Sequence, residues 1–424
     1  MQPKRPRSRL KKLRQRWTPR VQWVRVLEHD DLKRGKWAMP SGGLTAHINC
    51  DNNHTPCDMQ RNTMLTSKYV ANWEERAARF ETWWARERTD RPLIRVNAKR
   101  DKPLGDAPEV PNPGPPDRFL DTDFLVALHR RIFQTTYYGG DGFPSVIANL
   151  GPGSLALYLG SEPGFAETTV WFKPCIDSLA DTPLPEFDPK NKWFVKHLDI
   201  VRAMREAFGE DAWVGIPDLV ESLDILAAMR DPMRFLYDLM DRPADVHRWL
   251  RRINDLYMPH YDAFYNIAKH TQGDSAFTAF DIWGPGKTAK VQCDFAAMVS
   301  PDQFAEFYIP YVTEQVSQLD RSLYHLDGPD CIRHVPHLLG VENLHAIQWT
   351  CGAGNPEGGD PHWYPLMEQI LGGGKGVQVT MSAENVEPFL RRFGPDGVYI
   401  RTAVETQREA DELVAMTKRV CGRV

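Results

Sequence analysis

The chain has 424 residues, of which 42% are hydrophobic and 25% are charged, and its formal net charge is -4. This is the composition of an ordinary globular protein with enough apolar residues for a large core. The sequence argues against a membrane-spanning protein, because it contains no run of about 18 apolar residues. It also argues against a nucleic-acid-binding protein, because the body of the chain lacks a basic excess. The length fits two average domains or one large α/β barrel.

The chain begins with a strongly basic segment that reads MQPKRPRSRLKKLRQR. Sequence rich in Arg, Lys and Pro and without apolar periodicity does not build a packed core. The segment could bind an anionic partner, act as a targeting segment, or be upstream sequence that precedes a true start near Met64, and we favour the third interpretation. We therefore predict a basic, disordered extension over residues 1–63 and one catalytic domain over residues 64–424.

The seven cysteines are dispersed along the chain, and none forms a C-x-x-C pair. An odd, scattered set is typical of a protein in a reducing compartment rather than of a disulfide framework. The sequence therefore predicts a cytoplasmic protein.

The first predicted element is a helix in YVANWEERAARFETWWARE, whose aromatic stripe is assigned to the core, and the strand PLIRVNA follows it. Residues 101–117 are rich in Pro, Gly and Asp and are predicted to form a loop. Asp121 is expected to cap the next helix, which runs to Tyr137. Two further strands are predicted in SVIANL and ETTVWFKP, with a Gly/Pro turn after the first.

From Asp188 onward, predicted helices and strands alternate regularly. The strands are AWVGIP, AFTAFDI, SLYHL, NLHAIQW, GVQVTM and GVYIRT, and the helices between them include one from Ser300 to Leu319. Repeated units of this kind imply parallel strands joined by right-handed crossovers. With the earlier strands the total is about eight, so we predict an α/β fold of the (β/α)8 TIM barrel type, with a doubly wound open sheet as the alternative.

The strongest chemical signal is the run His325-Leu326-Asp327-Gly328 at the end of the predicted strand SLYHL. Alternate residues of a strand point to the same side, so His325 and Asp327 can converge on one cation or one proton. The pair suits zinc or another divalent cation, and it equally suits acid–base catalysis. The alternative is that Asp327 caps the next helix while His325 only makes a hydrogen bond in the barrel mouth.

Asp281 ends another predicted strand, just before a Trp-Gly-Pro turn. Burial beside Trp283 would favour the neutral form of Asp281, as a general acid requires, unless a cation lies next to the carboxyl group. The alternative is that Asp281 only anchors the loop. Cys293 follows Lys287 and Lys290 in a predicted loop. Cys293 could be a soft metal ligand or a thiol whose pKa these cations lower, although a single loop cysteine is more often inert.

The strand NLHAIQW ends with Gln348 and Trp349, an amide and an indole that would bind the polar edge of a substrate and stack on its face. Capping of the barrel rim is the alternative for the indole. Cys351 follows, so a metal site of His325, Asp327 and Cys351 with an open position is a further hypothesis. Other residues after predicted strands could orient substrate or else serve as helix caps and first-turn acids: Asn149, Asp218, Glu221 and Glu384.

Several segments together resemble the uroporphyrinogen decarboxylase superfamily, over roughly residues 73–420. They are FDIWGPGKTAKVQCDFAAMVSPDQFAEFYIPY, YHLDGPDCIRHVPHLLGVENLHAIQW, the NLGPG turn and PDLVESLDILAAMRDPMRFLYDLMDRPADVHRWL. The resemblance implies a barrel with its site at the carboxyl ends of the strands. It is a divergent resemblance, because the R-Q-A-G-R segment of the decarboxylases is missing. In addition, His325-Leu326-Asp327 replaces the H-x-C of the zinc methyltransferases, and no cysteine lies near Met381 or Thr402.

The resemblance implies an enzyme that moves a methyl group between a small methylated substrate and a corrinoid or thiol acceptor. Its expected cofactors are zinc or another divalent metal and a corrinoid carried by a partner protein. One alternative is a decarboxylase of a porphyrinogen or another carboxylated substrate, in which Asp281 and His325 act without a cofactor; the other is a non-catalytic ligand-binding barrel. The expected partners are a small-molecule substrate, a corrinoid protein and a second copy in a homodimer, without nucleic acid or membrane.

Overall fold

A computed structural model describes residues 67–422, so the predicted extension at residues 1–63 lies outside the described residues. The α-helices are α1 Trp73–Ala85, α2 Asp117–Leu120, α3 Thr122–Thr135, α4 Leu155–Tyr158, α5 Lys192–Phe208, α6 Ser222–Arg230, α7 Pro232–Asp241, α8 Pro243–Ala268, α9 Pro301–Phe307, α10 Ile309–Val316, α11 Val335–Leu339, α12 Tyr364–Gly372, α13 Ala383–Phe393 and α14 Gln407–Cys421. Within residues 67–422, none of the helices combines the length and the apolarity that a membrane crossing demands.

The β-strands are β1 Leu93–Lys99, β2 Thr136–Gly140, β3 Ser145–Ile147, β4 Glu162–Phe165, β5 Val170–Lys173, β6 Trp213–Gly215, β7 Ser275–Phe277, β8 Ile282–Gly284, β9 Thr288–Gln292, β10 Arg321–Asp327, β11 Ala346–Thr350, β12 Gly376–Thr380 and β13 Val398–Thr406. Strands and helices alternate through the second half of the chain, as the sequence predicts. The protein therefore has a mixed α/β fold.

Seven strands form one sheet in the order β2-β1-β13-β12-β11-β10-β9, with β2 and β9 at its edges. All neighbours in it are parallel except β2 and β1. A parallel pair of β3 and β6 and two antiparallel pairs, β4 with β5 and β7 with β8, lie outside it. Strand pairing in the described part of the chain does not close a ring, so it confirms a parallel sheet and leaves the eight-stranded barrel a prediction.

Helix ends follow the local sequence. The Asp121 carboxylate accepts a hydrogen bond from the Phe124 amide and caps α3, as expected. Ser300 and Gln303 form a reciprocal capping box at the start of α9. The predicted helix from Ser300 to Leu319 is in fact two helices that meet at Tyr308, because Pro310 has no amide hydrogen to continue the hydrogen-bond ladder.

The predicted strand AFTAFDI is also interrupted. After β7 the chain makes a 3-10 turn over Thr278–Phe280, and Asp281 takes a left-handed conformation with φ 49°. The chain then reverses into β8, which pairs with β7 in antiparallel fashion. Asp281 therefore lies at the apex of a tight reversal rather than at the end of a continuous strand.

The aromatic stripe of α1 is part of the core, as predicted. Trp73, Phe80, Trp83 and Trp84 are buried. Edge-to-face contacts join Phe80 to the rings of Trp283 and Tyr399, and the indole nitrogen of Trp84 donates a hydrogen bond to the carbonyl of Trp283 at 2.8 Å. These contacts pack α1 against both the main sheet and the β7–β8 reversal.

Strand register places a polar row on one face of the sheet. Residues paired across parallel strands point to the same side, and the pairing sets the following residues side by side: Gln292, His325, Gln348 and Gln378. Two residues further along the strands lies a second row on the same face, formed by Asp327, Thr350, Thr380, Arg401 and Arg95. Buried strands rarely carry so many polar groups, and this face therefore holds the candidate site.

Candidate active site at the carboxyl ends of the strands

His325, near the end of β10, is held by a neighbour on β11. Its Nδ1 forms a hydrogen bond with Oε1 of Gln348, whose amide nitrogen is committed to the Trp349 carbonyl at 2.7 Å and the Thr350 hydroxyl at 2.9 Å. Gln348 must therefore accept from His325, which places the proton on Nδ1 and leaves a lone pair on Nε2. Burial, with the nearby charge of Lys290, lowers the pKa of His325 to about 4, so the imidazole is neutral at physiological pH.

Asp294, His325 and Asp327 form a cluster of possible metal ligands. Each residue offers one ligand atom, and these atoms all lie within 4.8 Å of one another. Asp294 begins a 3-10 helix just after β9, whereas His325 and Asp327 lie on the adjacent strand β10. His325 is buried, Asp327 is partly buried and Asp294 is exposed, so the cluster opens to solvent on one side.

Three carboxyl groups crowd together at this cluster, those of Asp224, Asp294 and Asp327. Burial raises the pKa of Asp327 to about 6. Asp294 is exposed as a residue, but its carboxyl group lies among the other acids, so desolvation there and the Asp224 and Asp327 charges raise the pKa of Asp294 above its usual range. Asp224 lies behind the cluster, accepts hydrogen bonds from the amides of Asp294 and Phe295 at 2.8 and 2.9 Å, and also has a pKa raised by burial. A cation bound here would relieve this repulsion.

Lys290 lies within β9 and not in the predicted loop. Its ammonium group donates to a carboxylate oxygen of Asp218 at 2.6 Å and to the side-chain oxygen of Gln292, and the ion pair is fully enclosed, with side-chain exposures of 0% and 6%. Asp218 is therefore the counter-ion of a buried lysine and not a helix cap.

The hypothesis of a reactive thiol at Cys293 is wrong. Burial, followed by the Asp224 charge, raises the pKa of Cys293 well above its ordinary value. The two lysines that were expected to lower it have other partners, Asp218 for Lys290 and Asp262 for Lys287 at 2.7 Å. A buried thiol beside carboxylates stays protonated and unreactive.

Glu221, expected to orient substrate or cap a helix, precedes α6 without capping it. Its carboxyl group instead accepts hydrogen bonds from the Gln292 amide of β9 and from the Gln315 side chain of α10. Burial raises the pKa of Glu221 to about 8. Its described contacts therefore fasten the edge of the sheet beneath the site.

A pH-dependent stability contribution follows from Glu221. Its pKa is about 8 in the folded protein against an ordinary value of 4.5, so the unfolded chain loses the proton first and stability falls as pH rises from about 4.5 to about 8. We expect Glu221→Gln to reduce this decline, because glutamine does not titrate. The variant can keep its hydrogen bond to Gln315, since the unpartnered side-chain oxygen of Gln315 can accept from the new amide after the Gln315 side chain flips. Urea denaturation at pH 5 and pH 8 measures the unfolding free energy and therefore the size of this decline.

Glu384→Gln is the matched control for that experiment, because Glu384 is an exposed first-turn acid of α13. Its unfolding free energy should follow the wild-type pH dependence. Parallel curves for wild type and Glu221→Gln would show that Glu221 does not titrate in this window.

Asp281 lies between two arginines. Nε of Arg95 and Nη2 of Arg401 approach the same oxygen, Oδ2, at 3.3 and 2.6 Å. The sequence argument for a general acid required that no cation lie beside Asp281, and two do, so that condition is not met. The structure makes Asp281 a shared counter-ion.

The other sequence-predicted residues have diverse positions. Asn149 accepts from the Gly151 amide at 2.9 Å and stabilises a turn, and Glu384 is exposed on α13. Trp349 is 1% exposed and packs edge-to-face on Trp363, on the opposite face of β11 from Gln348, so it cannot stack on a ligand at the polar rows. Cys351 is not part of the ligand cluster, and burial raises the pKa of its thiol.

Replacing Gln348 tests its role in orienting His325. If the cluster holds zinc, we expect Gln348→Ala to weaken its binding by about 10- to 100-fold, because a metal-binding histidine depends on the acceptor at its other ring nitrogen. Gln348→Glu should retain most of the affinity, since a carboxylate can also accept from Nδ1. Competition titration with a zinc chelator gives both values, and equal affinities for wild type and Gln348→Ala would contradict the assignment.

Sequence reasoning placed Lys290 in a loop and missed several residues of this site: Arg95, Asp224, Asp294, Gln378 and Arg401. A signal for some of them is present in the sequence. Arg95, Lys290 and Arg401 are charged residues inside apolar strand runs, where a charge requires a partner or a ligand. Asp294 carries no such signal, because its approach to His325 depends on how β9 and β10 pair.

Comparison with known proteins identifies a solved structure with a similar fold. No protein-family model matches the chain, and no curated protein matches its sequence. Among solved structures, a methyltransferase from Methanosarcina mazei matches with a TM-score of 0.54 and 11% sequence identity, over 81% of this chain and 98% of that chain. The chain therefore shares the fold of a solved methyltransferase.

Proposed function

We propose that this protein is a metal-dependent methyltransferase of the uroporphyrinogen decarboxylase-like type. It would move a methyl group between a small methylated substrate and a corrinoid or thiol acceptor. The observation that carries the proposal is the convergence of Asp294, His325 and Asp327 at the carboxyl ends of adjacent strands. The fold shared with the Methanosarcina mazei methyltransferase supports the same class.

The donor set fits a divalent cation. One neutral imidazole and two carboxylates are ligands that zinc and other borderline cations accept, and the mutual repulsion of the acids favours added positive charge. When bound, such a cation supplies Lewis acidity to the reacting group. His325 would offer Nε2, and Asp294 and Asp327 one oxygen each.

Residues around the cluster would keep it in place and bind substrate. Gln348 fixes the orientation of the His325 ring, and Asp224 holds the backbone that carries Asp294. On the same face, the side-chain oxygens of Asn97 and Gln378 are buried without hydrogen-bond partners among the described residues. Buried acceptors of this kind are costly when empty, so they would receive donors from the substrate.

The two parallel sheets would be parts of one distorted barrel. The amide of Ile216, just after β6, donates to the carbonyl of Ala276 in β7 at 2.9 Å. The Thr278 hydroxyl of the following turn donates to the carbonyl of Val146 in β3 at 3.0 Å. These bonds connect the β3–β6 pair to the strands next to β9, as a barrel with an irregular segment requires.

The test uses full-length protein purified in the presence of zinc. Its metal content is measured by mass spectrometry, and transfer of the methyl group from methylcobalamin to 3-mercaptopropanol is followed by absorbance, with and without a chelator. Near-stoichiometric metal and chelator-sensitive transfer support the proposal. Protein that stays metal-free after metal-replete purification would reject it, and release of carbon dioxide from a carboxylated substrate would then favour the decarboxylase.

A further inference from the structure

Two arginines, one buried and one partly buried, converge on one carboxylate at the far side of the polar face. Arg95 of β1 and Arg401 of β13 are paired in register, and their side chains are 16% and 7% exposed. Both approach the same oxygen of Asp281, at 3.3 and 2.6 Å. Within residues 67–422, two guanidinium groups and one carboxylate leave one positive charge without a counter-ion.

The hydrogen-bonding capacity of these arginines is largely unused. A guanidinium carries five N–H donors, and Nε of Arg401 is buried without a partner among the described residues, in a residue that is only 5% exposed. The described part of the chain gives neither arginine an ion pair other than Asp281. A buried cationic donor without an acceptor is costly, and an oxyanion supplies both charge and acceptors.

The arginines lie close to the ligand cluster. The Phe280 ring is 4.8 Å from the His325 ring and 5.9 Å from the guanidinium carbon of Arg401. Because both distances share the Phe280 ring, His325 and Arg401 lie within about 11 Å of each other. The face thus has acidic groups and an imidazole at one end and an unneutralised cation at the other.

We propose that Arg95 and Arg401 form an anion-binding subsite for the substrate. It would take a carboxylate or another oxyanion of a small molecule whose reacting end lies at Asp294, His325 and Asp327. Asp281 is the internal counter-ion that shares the two arginines with the ligand's anion and competes with it for their N–H donors. Its backbone is retained by the Tyr399 hydroxyl, which donates to the Asp281 carbonyl at 2.7 Å. The placement of the substrate's reacting end rests on the proposed function, whereas the binding of an anion by the two arginines does not.

The test is calorimetric titration of full-length protein, without added metal, with glutarate and with its neutral diamide. We expect glutarate to bind at least about tenfold more tightly than the diamide, because charge-assisted bidentate hydrogen bonds are the strong ones. Arg401→Gln and Arg95→Gln should abolish this preference. Asp281→Asn should instead tighten glutarate binding, since it removes the competing carboxylate, and a purely structural ion pair would not give that gain.

Two controls separate binding from folding. Arg392→Gln, at an exposed ion pair with Glu368, should bind glutarate like wild type. Arg401→Gln combined with Asp281→Asn leaves no unpaired carboxylate, so its loss of glutarate preference cannot be ascribed to a misfolded site. Arg401→Lys should recover only part of the preference, because lysine lacks the planar fork.

Equal binding of glutarate and the diamide by wild type, or an unchanged glutarate affinity in Asp281→Asn, would overturn the subsite. The outcome is independent of the methyltransferase assay. A preference for glutarate in a protein that neither binds metal nor transfers methyl groups would reject the proposed function and retain the anion subsite.

Discussion

Replacing His325 by alanine is expected, on the proposed function, to lower zinc affinity by more than the roughly 10- to 100-fold that loss of an outer-shell partner causes, and to abolish methyl transfer. His325 offers the only nitrogen ligand of the cluster, and its imidazole is already neutral because burial lowers its pKa to about 4. No proton therefore competes for it near pH 7. Zinc retained after dialysis, together with a chelator competition titration, measures the effect.

Asp294→Asn and Asp327→Asn should each weaken zinc binding as well, since each removes a charged oxygen ligand. Asp330→Asn is the matched control, because Asp330 is an exposed aspartate three residues after Asp327 and outside the cluster. Wild-type zinc affinity in Asp294→Asn would show that the third ligand has been assigned incorrectly.

Replacing Lys290 by methionine is expected to destabilise the protein by about 3–5 kcal/mol, the usual cost of leaving a buried charge without its partner. Lys290 and Asp218 are both enclosed, and their ion pair at 2.6 Å lies in the interior beneath the site. Methionine retains most of the side-chain volume, so the loss of stability would come from the unpaired charge of Asp218 and not from a cavity. Urea denaturation at neutral pH gives the unfolding free energy.

Lys287→Met is the control for this experiment, three residues earlier in the chain. Its ion pair with Asp262 is partly exposed, so its loss should cost less than about 1 kcal/mol. The double variant Lys290→Met/Asp218→Leu should recover much of the loss, because it leaves no unpaired charge. If the double variant were less stable than Lys290→Met, desolvated charge would not be the cause.

The sequence predicted what depends on local periodicity. The aromatic spacing of α1 correctly indicated a buried face, and Asp121 was correctly identified as a helix cap. The alternation after Asp188 indicated parallel strands, which the main sheet confirms. Such features are readable because a residue and its neighbours a few positions away determine them.

The site depends on contacts between distant strands, and there local patterns were insufficient. The pairing of His325 with Gln348 was not predictable, although both residues were recognised as strand-end groups. The reversal at Asp281 was missed because AFTAFDI has the composition of one continuous strand. The arginines that meet Asp281 come from strands about 300 residues apart in sequence, Leu93–Lys99 and Val398–Thr406, so only the fold brings them together.

The edge of the main sheet at β9 has a consequence for solubility. On this edge, side chains occupy backbone groups that another strand would use: Glu221 accepts from the Gln292 amide, Ser275 accepts from the Thr288 amide, and the hydroxyls of Tyr261 and Tyr308 donate to the carbonyls of Thr288 and Gln292. An open strand edge is a template for pairing with other chains and for aggregation. These four side chains occupy that template, and every residue of β9 is buried, so the edge is closed to the strands of other chains.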